Sequence, residues 1–194
     1  YLVMNLSGRN KPICHPSVAA SFGLYDIDKK DFDRNAVLKL GIDIGILPGI
    51  MTEDKPVGKY RGIDICPALG DNQASVFGSV ADEDASVLVN YGTGSQVSVI
   101  TDGVEADSPL EVRPYIGGKN LICGCALCGG YAYEVLEGFF ASYARALGNN
   151  DNQYSVMDSL AECAYYNKNK GKLKVAPLFK GTRENPEIRG SVSR

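Results

Sequence analysis

The sequence predicts an α/β protein: layers of helix on sheet, in parts of two domains. Three observations carry that expectation. Short apolar runs bounded by Gly and Pro read as strands, stretches with 3.6-residue apolar spacing read as helices, and the pattern changes on either side of the acidic segment Ala81–Ala85. The 194 residues are 44% hydrophobic and 22% charged, an ordinary globular composition able to bury a core. A formal net charge of -3 gives no basic field for phosphate backbones or anionic lipid, so neither nucleic acid nor membrane is expected as a partner. The longest apolar stretches, such as Ile44–Ile50, fall far short of the roughly 20 residues that cross a bilayer. Six cysteines with mostly apolar neighbours suit reduced, buried thiols and a cytoplasmic location. With Tyr1 at the start and no signal-peptide pattern, the chain reads as a processed or truncated piece.

The elements follow in order. Tyr1 to Leu6 is an apolar element arriving from missing sequence. Ser17 caps a short helix through Phe22 that Gly23 closes, and Leu24-Tyr25-Asp26 turns into a polar linker. Asp31 or Asp33 opens the next helix, with Phe32, Ala36, Val37 and Leu40 at helical spacing and Gly41 as its stop. Leu47-Pro48-Gly49 is a turn. Ile63 to Leu69 reads as a strand, and Gly70-Asp71 starts a helix whose apolar positions are Ala74, Phe77 and Val80. Val87 to Val89 and Val97 to Ile100 form a hairpin about a Gly-rich turn. Val112 to Ile116 and Leu121 to Cys125 are two further strands joined around Gly117-Gly118. Gly129-Gly130 leads into a helix from about Tyr131 to Leu147, with Val135, Leu136, Phe139, Phe140 and Tyr143 on its apolar stripe. A helix from about Gln153 to Tyr166 precedes a strand from Leu173 to Ala176. The run Lys168 to Lys174 is a solvated basic turn.

Chemistry can sit at three places. In Gly70-Asp71-Asn72-Gln73 a strand end, a glycine and an acidic residue meet at a helix N-terminus, where the dipole favours an ionised carboxylate. Such a carboxylate can take a proton from a substrate hydroxyl, with Asn72 or Gln73 offering amide contacts; the commoner use of the pattern is a plain N-cap. In Tyr91-Gly92-Thr93-Gly94-Ser95, consecutive N–H groups and two hydroxyls can make an anion site. It lacks the Gly-Lys-Ser/Thr of a P-loop, and hairpin connection is its plainer reading. Gly129-Gly130 at a helix start leaves N–H groups free to meet an anion, or else serves close strand-to-helix packing. Cys123, Cys125 and Cys128 invite a metal reading with Cys66, Cys163 or His15 as a fourth ligand, but apolar strand flanks argue against it, and no metal ligands are assigned. His15, beside Pro16, is a loop residue or a substrate-pocket donor, and no hydrolytic nucleophile motif accompanies it.

In order, these pieces resemble the middle of an FGGY-family carbohydrate kinase. The resemblance runs through Ser17 to Asp26, Leu40-Gly41-Ile42 with Leu47-Pro48, Val57-Gly58, Gly70 to Ala74, and Tyr91 to Ser95. Near the end it includes Pro177, Phe179, Gly181, Arg183, Pro186 and Arg189-Gly190. Leu127-Cys128-Gly129-Gly130 with the Phe139-Phe140 helix is most similar to the sedoheptulokinase-like branch.

The resemblance implies the actin-like ATPase, ribonuclease H-like fold around a cleft. Residues 1–81 would be the C-terminal part of a sugar-binding domain and residues 82–194 the N-terminal part of a nucleotide-binding domain. It implies ATP-dependent phosphorylation of a sugar hydroxyl, with a ketose or polyol as substrate, ATP and Mg²⁺ as cofactors, and a homodimer as an allowed oligomer. Asp71 matches the catalytic base and Asn72 its neighbour near the sugar. Thr93 and Gly94 match one phosphate-side turn, Gly129 and Gly130 a second, and Asp71 and Thr93 would face each other across the cleft. The family's N-terminal Asp-x-Gly-Thr loop and its later glycine-rich adenine site have no counterpart here, so this piece alone is expected to be weakly active or inactive. The rival readings are an actin-like ATP-binding module without sugar chemistry, and a noncatalytic metal or structural piece built on the cysteines.

Overall fold

The computed structural model describes residues 1–166 and 173–194, so Lys168 to Lys172 of the basic run lie outside the described residues. The elements are α1 (Leu2–Leu6), β1 (Ile13–Cys14), α2 (Pro16–Ala19), β2 (Tyr25–Asp26), β3 (Asp31–Phe32) and α3 (Arg34–Lys39). Then come β4 (Gly49–Ile50), β5 (Gly58–Tyr60), β6 (Ile63–Ile65), α4 (Asp71–Ser79), β7 (Val87–Tyr91) and β8 (Ser95–Thr101). The last are β9 (Glu111–Pro114), β10 (Asn120–Ala126), α5 (Gly130–Ala146), α6 (Tyr154–Tyr166), β11 (Lys174–Ala176) and β12 (Ser191–Ser193). The largest sheet runs β7-β8-β10-β9. Among the described residues no helix is long and apolar enough to cross a membrane.

The chain divides into two compact units. The first holds Tyr1–Leu88 and Val97–Gly124. In it β1 pairs in parallel with β4, and β2 with β3, β5 with β6 and β9 with β10 pair antiparallel. Cys14, Ala19 and Phe32 form a core against which Val18, Leu24, Tyr25, Leu47 and Ile50 pack. Asp33 caps α3 by accepting from the N–H groups of Asn35 and Ala36, as its side chain suits, and Gly41 follows at a φ of 68°. Three local expectations are corrected. His15, not Ser17, caps α2, because its ring nitrogen accepts the Ser17 N–H. The strand expected from Ile63 ends at Ile65, and Leu24 to Asp26, expected as linker, contributes β2.

Helix α4 begins where expected, but its buried face differs. Gln73 and Val76 are inside, whereas Phe77 is 60% exposed. Gln73 reaches that position because its amide Nε2 donates to the Pro114 carbonyl at 2.9 Å, so an uncharged polar side chain is satisfied in the interior.

The second unit holds Val89–Gln96 and Cys125–Arg194. Its buried positions include Cys128, Ala141 of α5 and Met157 of α6. The α5 stripe expected to face a core is largely open: Phe139 is 71% and Tyr143 67% exposed. Tyr133 of α5 and Tyr154 of α6 pack ring to ring at 5.8 Å, and the Tyr133 hydroxyl donates to Asp158.

Candidate functional site

Within the first unit, Asp71, Asn72 and Gln73 line an open cleft of about 360 Å³ with Ser17, Ala20, Ser21, Gly70 and the β9 residues Glu111, Val112 and Arg113. Gly70 is the N-cap of α4 and Asp71 its first residue, so the plain N-cap reading of Asp71 is corrected by one position. The Asp71 carboxylate is exposed, and its Oδ1 accepts the N–H of Asn72 at 2.7 Å. That leaves a second carboxylate oxygen at a helix N-terminus, where the macrodipole favours negative charge.

Strand β9 supplies two groups that the sequence reading missed. Glu111 and Arg113 lie two residues apart on one strand and so share a face. Their register partners on β10 are Cys123 and Leu121, both fully buried, so the same face continues into the core. Arg113 holds Glu111 through Nε at 3.1 Å and Nη2 at 2.5 Å, and its Nη1 donates to Asn72 Oδ1 at 3.2 Å. Cys123 Sγ lies 3.5 Å from the same Asn72 oxygen. A guanidinium can only donate, so the Asn72 oxygen must face Arg113 and its NH₂ is turned to donate elsewhere. The signal that could have found the pair was the charged i, i+2 alternation Glu111-Val112-Arg113 inside a strand.

His15 is buried at 3% exposure, not in an open loop. Its Nδ1 lies 2.8 Å from Ser17 Oγ and its Nε2 3.2 Å from Asp54 Oδ1. Burial pushes its pKa below the ordinary imidazole value of 6.5, against the opposing pull of the Asp54 carboxylate. Serine, histidine and aspartate here share the connectivity of a hydrolytic triad. Ser17, however, is buried and its oxygen accepts the Gly70 N–H at 3.0 Å, so it is not presented as a nucleophile.

Within the second unit, the turn Gly92–Ser95 meets the start of α5. Gly129 N–H donates to the Thr93 carbonyl at 2.8 Å, Gly130 N–H to Gly92 at 2.7 Å and Tyr131 N–H to Thr93 at 3.3 Å. The expectation that Gly129 and Gly130 carry free N–H groups is therefore corrected: the helix start is satisfied by carbonyls of the turn. Close packing explains the glycines. A Cβ on Gly129 would stand 2.6 Å from the Gly92 oxygen, and one on Gly94 2.9 Å from the Ala126 oxygen. Thr93 stays exposed on this turn. Cys128 accepts the Lys180 N–H at 3.2 Å, and the Lys180 ammonium lies 3.9 Å above the Tyr131 ring. Among the described residues, no group of three or more His, Cys, Asp or Glu side chains is arranged to hold a metal ion, and Cys66 and Cys163 are both exposed.

No protein-family model matches the chain. Sedoheptulokinase of Mus musculus is 24% identical over 100% of this chain and 44% of its own length. Glycerol kinase of Pediococcus pentosaceus is 26% identical over 99% of this chain and 39% of its own. Among solved structures, xylulose kinase from Rhodospirillum rubrum superposes with a TM-score of 0.79 at 18% identity, covering 98% of this chain and 39% of that one. This chain is a relative of the FGGY-family carbohydrate kinases. Gluconate kinase from Lactobacillus acidophilus gives a TM-score of 0.74 at 20% identity, covering 100% of this chain and 40% of its own. The fold is the actin-like ATPase, ribonuclease H-like α/β fold of the FGGY kinases. The chain spans less than half the length of the curated relatives it matches.

Proposed function

We propose that this FGGY relative is part of a kinase that transfers the γ-phosphoryl group of ATP to a hydroxyl of a ketose or polyol. The single observation that carries this reading is the exposed Asp71 carboxylate at the first turn of α4, in a cleft whose other polar groups are an Asn72 amide held by Arg113, Glu111 and the Ser21 hydroxyl. Asp71 is the general base that accepts the hydroxyl proton, and Asn72 donates its NH₂ to a neighbouring hydroxyl of the sugar. Phosphoryl transfer asks little covalent chemistry of the protein, so an oriented hydroxyl and a carboxylate within reach are what the first unit must supply.

ATP is the co-substrate, with its phosphates at Thr93 and Gly94; the exposed Thr93 hydroxyl is a donor of the right kind. Gly129 and Gly130 serve that turn from behind by holding its carbonyls. Mg²⁺ arrives with the nucleotide and, when bound, neutralises phosphate charge. In this reading residues 1–81 belong to the sugar-binding half and 82–194 to the nucleotide-binding half. The protein acts in the cytoplasm, and this stretch alone turns over weakly or not at all.

Coupled ADP release by the full-length protein over a panel of ketoses and polyols, beside nucleotide binding without sugar, tests the assignment. Sugar-dependent release supports it, whereas nucleotide binding with no transfer to any sugar supports an actin-like ATP-binding module instead.

A further inference from the structure

One chain of hydrogen bonds runs through the first unit to the start of α4. Asp54 accepts the Gly117 N–H on one oxygen, and its other oxygen lies 3.2 Å from His15 Nε2. His15 Nδ1 accepts the Ser17 N–H at 3.1 Å and stands 2.8 Å from Ser17 Oγ. Ser17 Oγ in turn accepts the Gly70 N–H at 3.0 Å. Both His15 and Ser17 are nearly inaccessible, at 3% and 4% exposure, so water does not compete for the bonds between them, whereas the Asp54 end is open to solvent.

The proton positions follow from the donor inventory. A backbone N–H can only donate, so Nδ1 is the acceptor, and in a neutral ring the proton sits on Nε2 facing Asp54. The Ser17 hydroxyl then gives its own proton to Nδ1 in a shared bond and keeps its lone pairs for Gly70. Gly70 also lies beside its neighbours: a Cβ there would stand 2.5 Å from the Gln73 side-chain oxygen and in ordinary contact, 3.5 Å, with the Ser17 carbonyl oxygen of α2.

We propose that His15, braced by Asp54, is a positioning residue for the phosphoryl-transfer site: it fixes the Ser17 hydroxyl on the Gly70 N–H and thereby fixes where α4 begins and where Asp71 stands. On the reading that Asp71 is the base, this link supplies the placement that a proton acceptor needs, since reacting groups displaced by a fraction of an ångström lose rate steeply. His15 touches neither sugar nor nucleotide in this role.

His15 is the sole histidine, so its imidazole nitrogens can be observed directly by ¹⁵N NMR of the whole chain. The expected spectrum has a protonated Nε2 and an unprotonated Nδ1. Ser17→Ala should speed hydrogen exchange of the Gly70 amide about fivefold, the scale of one lost hydrogen bond, while Ser17→Thr restores protection. His15→Ala should do the same, and His15→Asn, whose side-chain oxygen can take the Ser17 N–H, should recover most of it. In the sugar-dependent assay, Ser17→Ala and His15→Ala should lower kcat about tenfold with little change in KM for the sugar. A protonated Nδ1, or Gly70 exchange unchanged in Ser17→Ala, overturns the link. Altered Gly70 exchange with undiminished turnover, while Asp71→Asn is inactive, overturns the positioning role and leaves Asp71 as the base. Full turnover of Asp71→Asn removes the base itself and with it the catalytic purpose of the link, with Gly70 exchange still reporting whether the hydrogen bonds exist.

Discussion

The carbonyl oxygen of Thr93 accepts the amide proton of Gly129 at 2.8 Å, so the turn between β7 and β8 serves as the cap of α5. A β-turn that offers its carbonyls to a helix start satisfies groups that would otherwise need water or a side chain. Helix, strand and turn are thereby locked at a spacing that leaves no room for a methyl group.

Gly129→Ala should therefore be among the most damaging small substitutions in this chain. The added carbon would meet the oxygens of Gly92 and Gly94 at 2.6 and 2.7 Å, and both are backbone atoms that cannot swing aside. The expected cost is about 1–3 kcal/mol, the range for forced overpacking, read as a lowered midpoint in urea with an unchanged slope. Gly138→Ala is the matched control. It sits inside α5 with nothing within 4 Å of its Cβ position, so it should stabilise the chain by about 0.5–1 kcal/mol.

On the proposed kinase reading, Arg113→Gln should weaken sugar binding much more than it weakens the fold. The Arg113–Glu111 pair is partly exposed, at 23% and 36% of the two side chains, and such pairs contribute only ~0.5 kcal/mol to stability. Losing the guanidinium also releases the Asn72 oxygen, so the amide no longer presents its NH₂ in one direction. A rise of about tenfold in the sugar KM, with the unfolding midpoint nearly unchanged, is the expected outcome in the steady-state assay.

Stability should fall with acid through the histidine range. Burial depresses the His15 pKa below 6.5 in the folded chain, so the unfolded chain binds the proton more readily. The unfolded state then gains as pH falls below about 6.5, and the His15 contribution is fully present only above that value. Thermal midpoints compared at neutral and mildly acidic pH should drop more for the parent chain than for His15→Asn, which cannot titrate there. Equal drops would place the acid sensitivity elsewhere.

Thiol reactivity should follow burial. Cys66 and Cys163 are exposed, whereas Cys14, Cys123 and Cys128 are buried, and burial raises the Cys14 pKa, which lowers its thiolate fraction. Brief alkylation of the native chain followed by peptide mass analysis should label Cys66 and Cys163 first and leave Cys14 unlabelled until the chain is unfolded.

Much of this was legible in the sequence because it depends on local chemistry. Asp33 and Gly41 mark the two ends of α3, and Gly70-Asp71 marks the start of α4, since caps and left-handed stops are written in neighbouring residues. The α/β class and the kinship with FGGY kinases were legible for the same reason: they rest on an ordered set of short motifs. What could not be read depends on distant approach. Arg113 reaches Asn72 across 41 positions, and nothing in either segment announces the other. His15, beside Pro16, reads from sequence as a loop residue or a substrate-pocket donor, and only burial against Asp54 reveals its cap on α2. The faces of α4 and α5 were misjudged at Phe77 and Phe139, where apolar spacing alone assigns a core that the described residues do not cover.

The most direct test of the account is sugar-dependent ADP release by the complete enzyme carrying Asp71→Asn. The exchange removes the proton acceptor and keeps the shape, so turnover should fall by at least about 100-fold while nucleotide binding is retained. Turnover equal to the parent's would contradict the assignment of Asp71 as the base.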